Sequence, residues 1–323
     1  MIYKPLTFPL RICKLQALAK RLPYTYDKYE IIQTEIKTRT YGYKGEKSLE
    51  YPFSFLPDDF RIFFDLRLHN GTHFFQIDAL IVTSKFLLVV EAKYLSKSPL
   101  VDNNNQLIQD LDGQPKGSLS PFTQVFRQRD QLEQWIATHG FPQVPIYPLV
   151  ASSHPTSVIR IEDPSYAKFL TRTDALPEKI KEIQKLFKEE VYTKETIELF
   201  TGLLLKNHQP FEFKPLPYFN ISYNSLRKGV ICSKCDFLPM LRRHGTWFCP
   251  KCNHTCKEAH LEALRDYTLL IGDEITSRGL RDFLAFTSAD TAKRLLSACN
   301  IKRFGGGRGV KYRLPDYNRI SPD

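Results

Sequence analysis

The chain has no apolar run long enough to cross a bilayer. Its best, ALIVTSKFLLVV at 79–90, is cut by Lys85 and falls short of the ~18–20 residues a spanning helix needs, so no membrane span is expected. The opening MIYKPLTFPLRICKLQ lacks the uninterrupted apolar segment of a secretory signal, and the expected setting is cytoplasmic and reducing. There are no internal repeats and no low-complexity tracts, which argues against repeat arrays and disordered arms. The glycine-rich stretch GGGRG at 305–309 precedes no helical pattern, so it is not a dinucleotide fingerprint. Seven cysteines are present, but four fall in two Cys-x-x-Cys pairs, which points to metal rather than to a disulfide framework.

The 323 residues, 42% hydrophobic and 25% charged, suit a folded protein with one sizeable core and smaller modules. Net charge is +11, and residues 228–323 hold 17 Lys+Arg against 10 Asp+Glu, seven of those eleven charges. The excess favours a polyanionic partner, nucleic acid before others.

Residues 1–40 are mixed and aromatic-rich, with a short helix at LQALAKRL and a second around GYKGEKSLEY. DDFRIFFDLRL reads as a strand, Asn70-Gly71 as a hairpin turn, HFFQIDALIVTS as the returning strand and KFLLVVEAKYL as a third. VDNNNQLIQDLDGQPKGS is polar and turn-rich, a loop with a small hairpin. SPFTQVFRQRDQLEQWIATHG is a marked helix: Ser120 caps it, Pro121 suits its first turn, and Val125, Leu132, Trp135 and Ile136 form one apolar stripe before Gly140. VPIYPLVAS follows as a buried strand, residues 178–207 read as helical, and FKPLPYFN as a linker. Antiparallel strands followed by helix and strand indicate an α/β core.

Asp78, Glu91 and Lys93 stand at the ends of the two most apolar strands. Side chains alternate along a strand, so Glu91 and Lys93 share a face, and an antiparallel return brings Asp78 beside them. Two carboxylates can hold Mg²⁺, and an adjacent ammonium can orient a water and counter phosphate charge, the equipment of phosphodiester hydrolysis. The alternative is a salt bridge at the open end of a sheet.

Four motifs in order resemble the nuclease-related domain (NERD) family, a branch of the PD-(D/E)xK nuclease-like superfamily. They are Gly45-Glu46, Gln76-Ile77-Asp78, Glu91-Ala92-Lys93, and Pro121 with Gln124, spread over roughly residues 40–150. The resemblance implies a restriction-endonuclease-like mixed sheet flanked by helices. It implies Asp78 and Glu91 as ligands of Mg²⁺ or Mn²⁺, and Lys93 as the base facing water or phosphate. Glu46 is then an auxiliary acid and Gln124 an auxiliary polar group. It implies nuclease ancestry, which is not the same as present activity.

Cys232 and Cys235 are separated by thirteen residues from Cys249 and Cys252. Two turns carrying four thiolates close a tetrahedral Zn²⁺ site, here a zinc ribbon, structural rather than catalytic. Cys256, His254 and His260 are spare donors nearby.

HLEALRDYTLL, ITSRGLRDFLAF and SADTAKRLLSACN read as three helices, the third capped by Ser288, with Cys299 among its inward positions. IKRF and VKYRL form a hairpin about the glycines. The pattern resembles a winged helix whose exposed Lys293, Arg294, Arg308, Lys311 and Arg313 suit phosphates. The expected layout is a nuclease-like domain over 1–213 (core 40–155), a ribbon over 228–257 and a winged-helix-like domain over 258–323. The leading expectation is a Mg²⁺-dependent nuclease acting on DNA. The alternatives are a non-catalytic nucleic-acid-binding or regulatory protein that retains the nuclease fold, and a scaffold for a protein partner.

Overall fold

The computed structural model describes residues 1–111, 114–298, 302–306 and 310–315. The chain forms two compact units, one of residues 1–7 and 40–211, the other of residues 8–39 and 212–323. It opens with strand β1 (Ile2–Lys4) and helices α1 (Leu10–Arg21) and α2 (Tyr29–Lys47). Residues 8–39, expected within the nuclease-like domain, therefore belong with the C-terminal elements. Their apolar face explains this: Leu15, Leu18, Leu22 and Ile32 join the same buried cluster as Leu264, Phe283 and Trp247.

The first unit continues with α3 (Glu50–Phe53), β2 (Arg61–His69), β3 (Phe74–Val82) and β4 (Leu87–Lys93). Then come β5 (Leu100–Val101), β6 (Gln106–Leu111), β7 (Gln114–Leu119), α4 (Pro121–Thr138), β8 (Ile146–Ser152), β9 (Arg160–Ile161) and β10 (Leu170–Arg172). The main sheet runs β1-β2-β3-β4-β8-β10. Its centre is antiparallel, while β1–β2, β4–β8 and β8–β10 are parallel, so the sheet is mixed. A smaller sheet, β7-β6-β5-β9, grows from the polar stretch that the sequence marks as a loop with a hairpin.

Both faces of the main sheet are covered. On one, Val125, Leu132 and Trp135 of α4 pack with Phe63, Ile77 and Val89, beside Phe200 and Leu204 of α6 (Lys194–Asn207). On the other, Phe53 of α3 and Ile180 and Ile183 of α5 (Leu176–Leu186) cover Phe64, Ala79, Leu88 and Val90. Residues 178–207 are thus two helices; Thr193 accepts from Thr196 N and starts the second. At the head of α4 Ser120 accepts from Phe122 N, with Pro121 next in line, as the sequence indicates.

In the second unit FKPLPYFN is not a bare linker. It holds α7 (Pro215–Tyr218), and Phe213 and Leu216 lie in or against the core. A three-stranded sheet follows, β11 (Leu241–Arg243), β12 (Thr246–Phe248) and β13 (Thr255–Cys256), then α8 (His260–Leu270), β14 (Glu274–Ile275), α9 (Ser277–Leu284), α10 (Ala289–Ala298), β15 (Lys302–Phe304) and β16 (Lys311–Arg313). The last three strands pair in the order β14-β16-β15. Ser288 accepts from Thr291 N at the head of α10.

Arg21 on α1 is fully buried in this unit. Its Nε donates to Asp266 Oδ2 on α8 at 2.8 Å and its Nη1 to Gly229 O at 2.7 Å, while the guanidinium lies 4.7 Å from the Phe283 ring centre. Burial pushes the Asp266 carboxyl up, and Arg21 only partly offsets this. Arg21→Ala would leave that carboxylate buried without a partner, and denaturant unfolding of the zinc-loaded protein should show a loss of about 3–5 kcal/mol. Arg21→Met with Asp266→Leu should recover part of it; a double variant as weak as the single one would mean that the carbonyl contacts matter more than the pair.

Candidate active site and metal centre

Lys93 ends β4 with its Nζ 2.6 Å from Glu91 Oε1. The ammonium also donates to Gln124 Oε1 at 2.9 Å. Glu91 is buried, and its second oxygen accepts from Gln128 Nε2 at 2.8 Å. Ala79 pairs with Val90, so Asp78 stands level with Glu91 at the end of the β3–β4 ladder. There Asp78 Oδ2 accepts from Ala92 N at 2.9 Å.

The sheet is irregular here for a visible reason. Phe63 and Leu66 lie in one core cluster and Phe64 in the other, as do Ile77 and Leu80 against Ala79. Alternation therefore slips by one residue at Asp65 and at Asp78, which face each other between the pairs Phe64–Ala79 and Leu66–Ile77. Asp65 adopts φ of 49°, a backbone state that Asp tolerates better than most residues, and accepts from Gln76 Nε2. The slip turns polar side chains into what would otherwise be apolar layers.

The acids crowd one another. Burial first, then Glu91 and Glu46, hold Asp78 well above the usual carboxylate range. Burial, Asp65 and Glu91 raise Glu46 to about 7. Burial also raises Asp65, partly offset by Lys4, whose own ammonium is pulled down by burial. For Lys93, burial opposes the charge, but Glu91 and Asp78 outweigh it and the ammonium is held more firmly than usual.

A divalent cation suits this donor set. Mg²⁺ takes hard oxygens, is content with one or two carboxylates plus waters, and would relieve the repulsion that raises Asp78 and Glu46. Among the described residues no three carboxylates bring ligand oxygens within 4.8 Å of one another. The raised Glu46 gives a pH test. Its folded pKa lies above the ordinary value near 4.5, so the proton stabilises the cation-free fold below about 4.5, and that contribution is lost as pH rises through about 7. A cation that replaces the proton should therefore raise the unfolding temperature more at pH 8 than at pH 6; equal shifts would unlink Glu46 from the ion.

Of the residues singled out in the sequence, Glu91, Lys93 and Gln124 form one contact chain, Asp78 lies across from Glu91, and Glu46 joins through its field. Two partners were not singled out. Gln128 is one helical turn beyond Gln124, so the i, i+4 spacing carried the signal; it also donates to Gln76 O, and its Oε1 is buried without a partner. Ser152 pairs with Lys93 in the parallel ladder and is buried with an unpartnered Oγ; its role depends on register, which the sequence does not display.

In the second unit Cys232, Cys235, Cys249 and Cys252 bring all four Sγ atoms within 4.8 Å of one another. Two of the separations are 3.7 and 3.5 Å, against about 3.8 Å for thiolates 2.3 Å from one tetrahedral ion. The two knuckles are alike. Asp236 N bonds to Cys232 O and Cys232 N to Phe237 O; Asn253 N bonds to Cys249 O and Cys249 N to His254 O, all at 2.9 Å. Asp236 and Asn253 each take positive φ, where Asp and Asn are tolerated. Cys256 instead pairs with Trp247 in the ribbon sheet. The four-cysteine cluster fits Zn²⁺.

Lys293 and Arg294 are exposed on α10. Lys311 and Arg313 are also exposed, but both pair with Glu274, at 3.0 and 3.3 Å, which reduces their pull on a phosphate. Arg308 and Cys299 lie outside the described residues. Arg242 and Arg243 on the ribbon, stacked over Trp247 and Phe248, are further cations of this unit.

Residues 41–153 match the family model of the nuclease-related domain. That segment contains Glu46, Asp78, Glu91, Lys93 and Gln124 and runs from the end of α2 past β8. No curated protein and no solved structure matches the chain. Among the described residues no helix is long and apolar enough to cross a membrane.

Proposed function

We propose that the protein is a Mg²⁺- or Mn²⁺-dependent nuclease that hydrolyses phosphodiester bonds of DNA. The observation that carries this reading is the 2.6 Å Glu91–Lys93 pair beside Asp78, inside a segment matching a nuclease-related family. Asp78 and Glu91 would hold the ion, which when bound lowers the pKa of its water and offsets phosphate charge. Lys93 keeps its proton, so its part is to hold water or phosphate by charge and hydrogen bonding. Gln124 fixes its Nζ, and Gln128 fixes Glu91. The test is purified protein with Mg²⁺ or Mn²⁺ on linear, circular and single-stranded DNA, beside an Asp78→Ala control.

A second reading has its own support. Both Glu91 oxygens are engaged, by Lys93 and Gln128, which would suit a retained fold that binds nucleic acid without cutting it. In that case no substrate is cut and no divalent ion binds.

The C-terminal part would hold the substrate. Its order of helix, strand, two helices and two strands supports a winged-helix-like reading, with the ribbon as a neighbouring module over 228–257. Lys293→Ala with Arg294→Ala should weaken DNA binding and lower the slope of log affinity against log salt by about one to two, since each phosphate contact contributes roughly 0.9. Lys311→Ala with Arg313→Ala should do less, because Glu274 already holds both. Salt slopes unchanged by all four substitutions would favour a protein partner.

A further inference from the structure

Lys93 and Ser152 pair at the ends of the parallel strands β4 and β8, and Ser153 N donates to Lys93 O at 3.0 Å. Tyr94 and His154 therefore leave the carboxyl ends of adjacent parallel strands, the edge where open α/β sheets bind ligands. Their rings meet edge to face, with centroids 4.9 Å apart. Tyr41 of α2 stacks nearly flat on Tyr94, at 5.8 Å and 12°. Lys44 Nζ lies 5.5 Å from the Tyr41 ring centre.

This stack is held close to the site by Gly45. A Cβ at that position would stand 3.3 Å from Tyr94 N and 3.4 Å from Tyr94 Cβ, so glycine lets α2 press against the strand end. The last two turns of α2 then supply both Glu46 to the acid cluster and Tyr41 to the rim. Tyr41 is 40% exposed, so this stack of rings is not sealed into the core.

We propose that Tyr41, backed by Tyr94 and His154, stacks against an unpaired nucleobase next to the phosphate at Lys93, and that the protein prefers single-stranded or frayed nucleic acid. The proposal rests on the nuclease reading of the same site. An aromatic face accepts any base, because every base has a π-face, and a nearby ammonium meets the backbone phosphate. Inside a duplex both faces of each base are covered by neighbours, so an intact helix offers this stack nothing except at its ends.

The experiment uses a single-stranded 20-mer carrying 2-aminopurine, and a blunt duplex of the same sequence, with Ca²⁺ in place of Mg²⁺. Binding to the wild type should quench the 2-aminopurine emission. Tyr41→Ala should abolish the quench and weaken single-strand binding about 5- to 100-fold, with duplex affinity changed less than about twofold. Tyr41→Phe should retain both quench and affinity. The proposal is overturned if the wild type does not quench, if Tyr41→Ala binds and quenches as the wild type does, or if both substrates lose affinity equally. Tyr41-dependent quenching by a protein that cuts nothing in Mg²⁺ would support the stacking site and overturn only the hydrolytic reading.

Discussion

Asp78→Ala should reduce DNA cleavage by on the order of 10²–10³-fold or more, the usual effect of removing a group that stabilises charge in a transition state. Glu91→Gln should do the same, since on the proposed reading either change would take a carboxylate from the ion and leave its water less acidic. Lys93→Ala should fall almost as far but keep divalent-ion affinity, because the ammonium is not a ligand. Gln128→Leu and Gln124→Ala should lose less, about 10- to 100-fold, as partners that orient others rather than meet the substrate. The two glutamines differ in which residue they hold. Gln128 contacts Glu91, so its loss should weaken the ion; Gln124 contacts Lys93, so its loss should leave the ion and slow the reaction. DNA binding should survive all five substitutions. Equal cleavage by wild type and Asp78→Ala would place the activity in another protein or at another site.

Removing zinc should have the largest effect on folding. Structural zinc binding supplies about 10–16 kcal/mol in small zinc-finger peptides, more than most domains have in hand. The protein should purify with about one Zn²⁺ per chain, and Cys249→Ser should lose it. The two tryptophans permit a clean reading, because Trp247 is buried in the second unit and Trp135 in the first. Chelation should red-shift Trp247 emission, and a Trp247→Phe variant should show Trp135 unmoved. A chain that carries no zinc after mild, chelator-free purification, yet keeps Trp247 buried, would sink the ribbon as a metal site.

The legible parts of this molecule were those whose structure is local. The β2–β3 hairpin follows from Asn70-Gly71, and α4 from Ser120, Pro121 and its apolar stripe, all within one window of sequence. The meeting of Glu91 and Lys93 follows from two-residue alternation alone. The knuckle turns are readable too, since each Cys-x-x-Cys is followed by Asp236 or Asn253, residues that accept the left-handed backbone.

What could not be read depends on distant partners. β1 is three residues long and pairs with β2 about sixty positions away. Arg21 resembles any surface cation until Asp266 is brought to it. Phe213 and Leu216 sit among prolines, which suggested a linker, yet they bury against a core assembled from both ends of the chain. The slip in alternation at Asp65 and Asp78 was invisible because each strand taken alone keeps a plausible pattern. Ser152 acquires its place beside Lys93 only through parallel register.

The interleaving of the two units bears on how the protein is made. Translation completes residues 40–211 before any of the segment from 212 onward exists, so the first unit can close on the ribosome while α1 has only the start of α2, and none of the C-terminal elements, to pack against. Leu15, Leu18 and Leu22 then wait for Leu264 of α8 and for Trp247 of the ribbon sheet. If the four-cysteine cluster is filled by zinc, a chain without the metal would have one finished unit and one helix with its apolar face uncovered. Such a chain would present the transient apolar surface that makes partly folded proteins prone to aggregation.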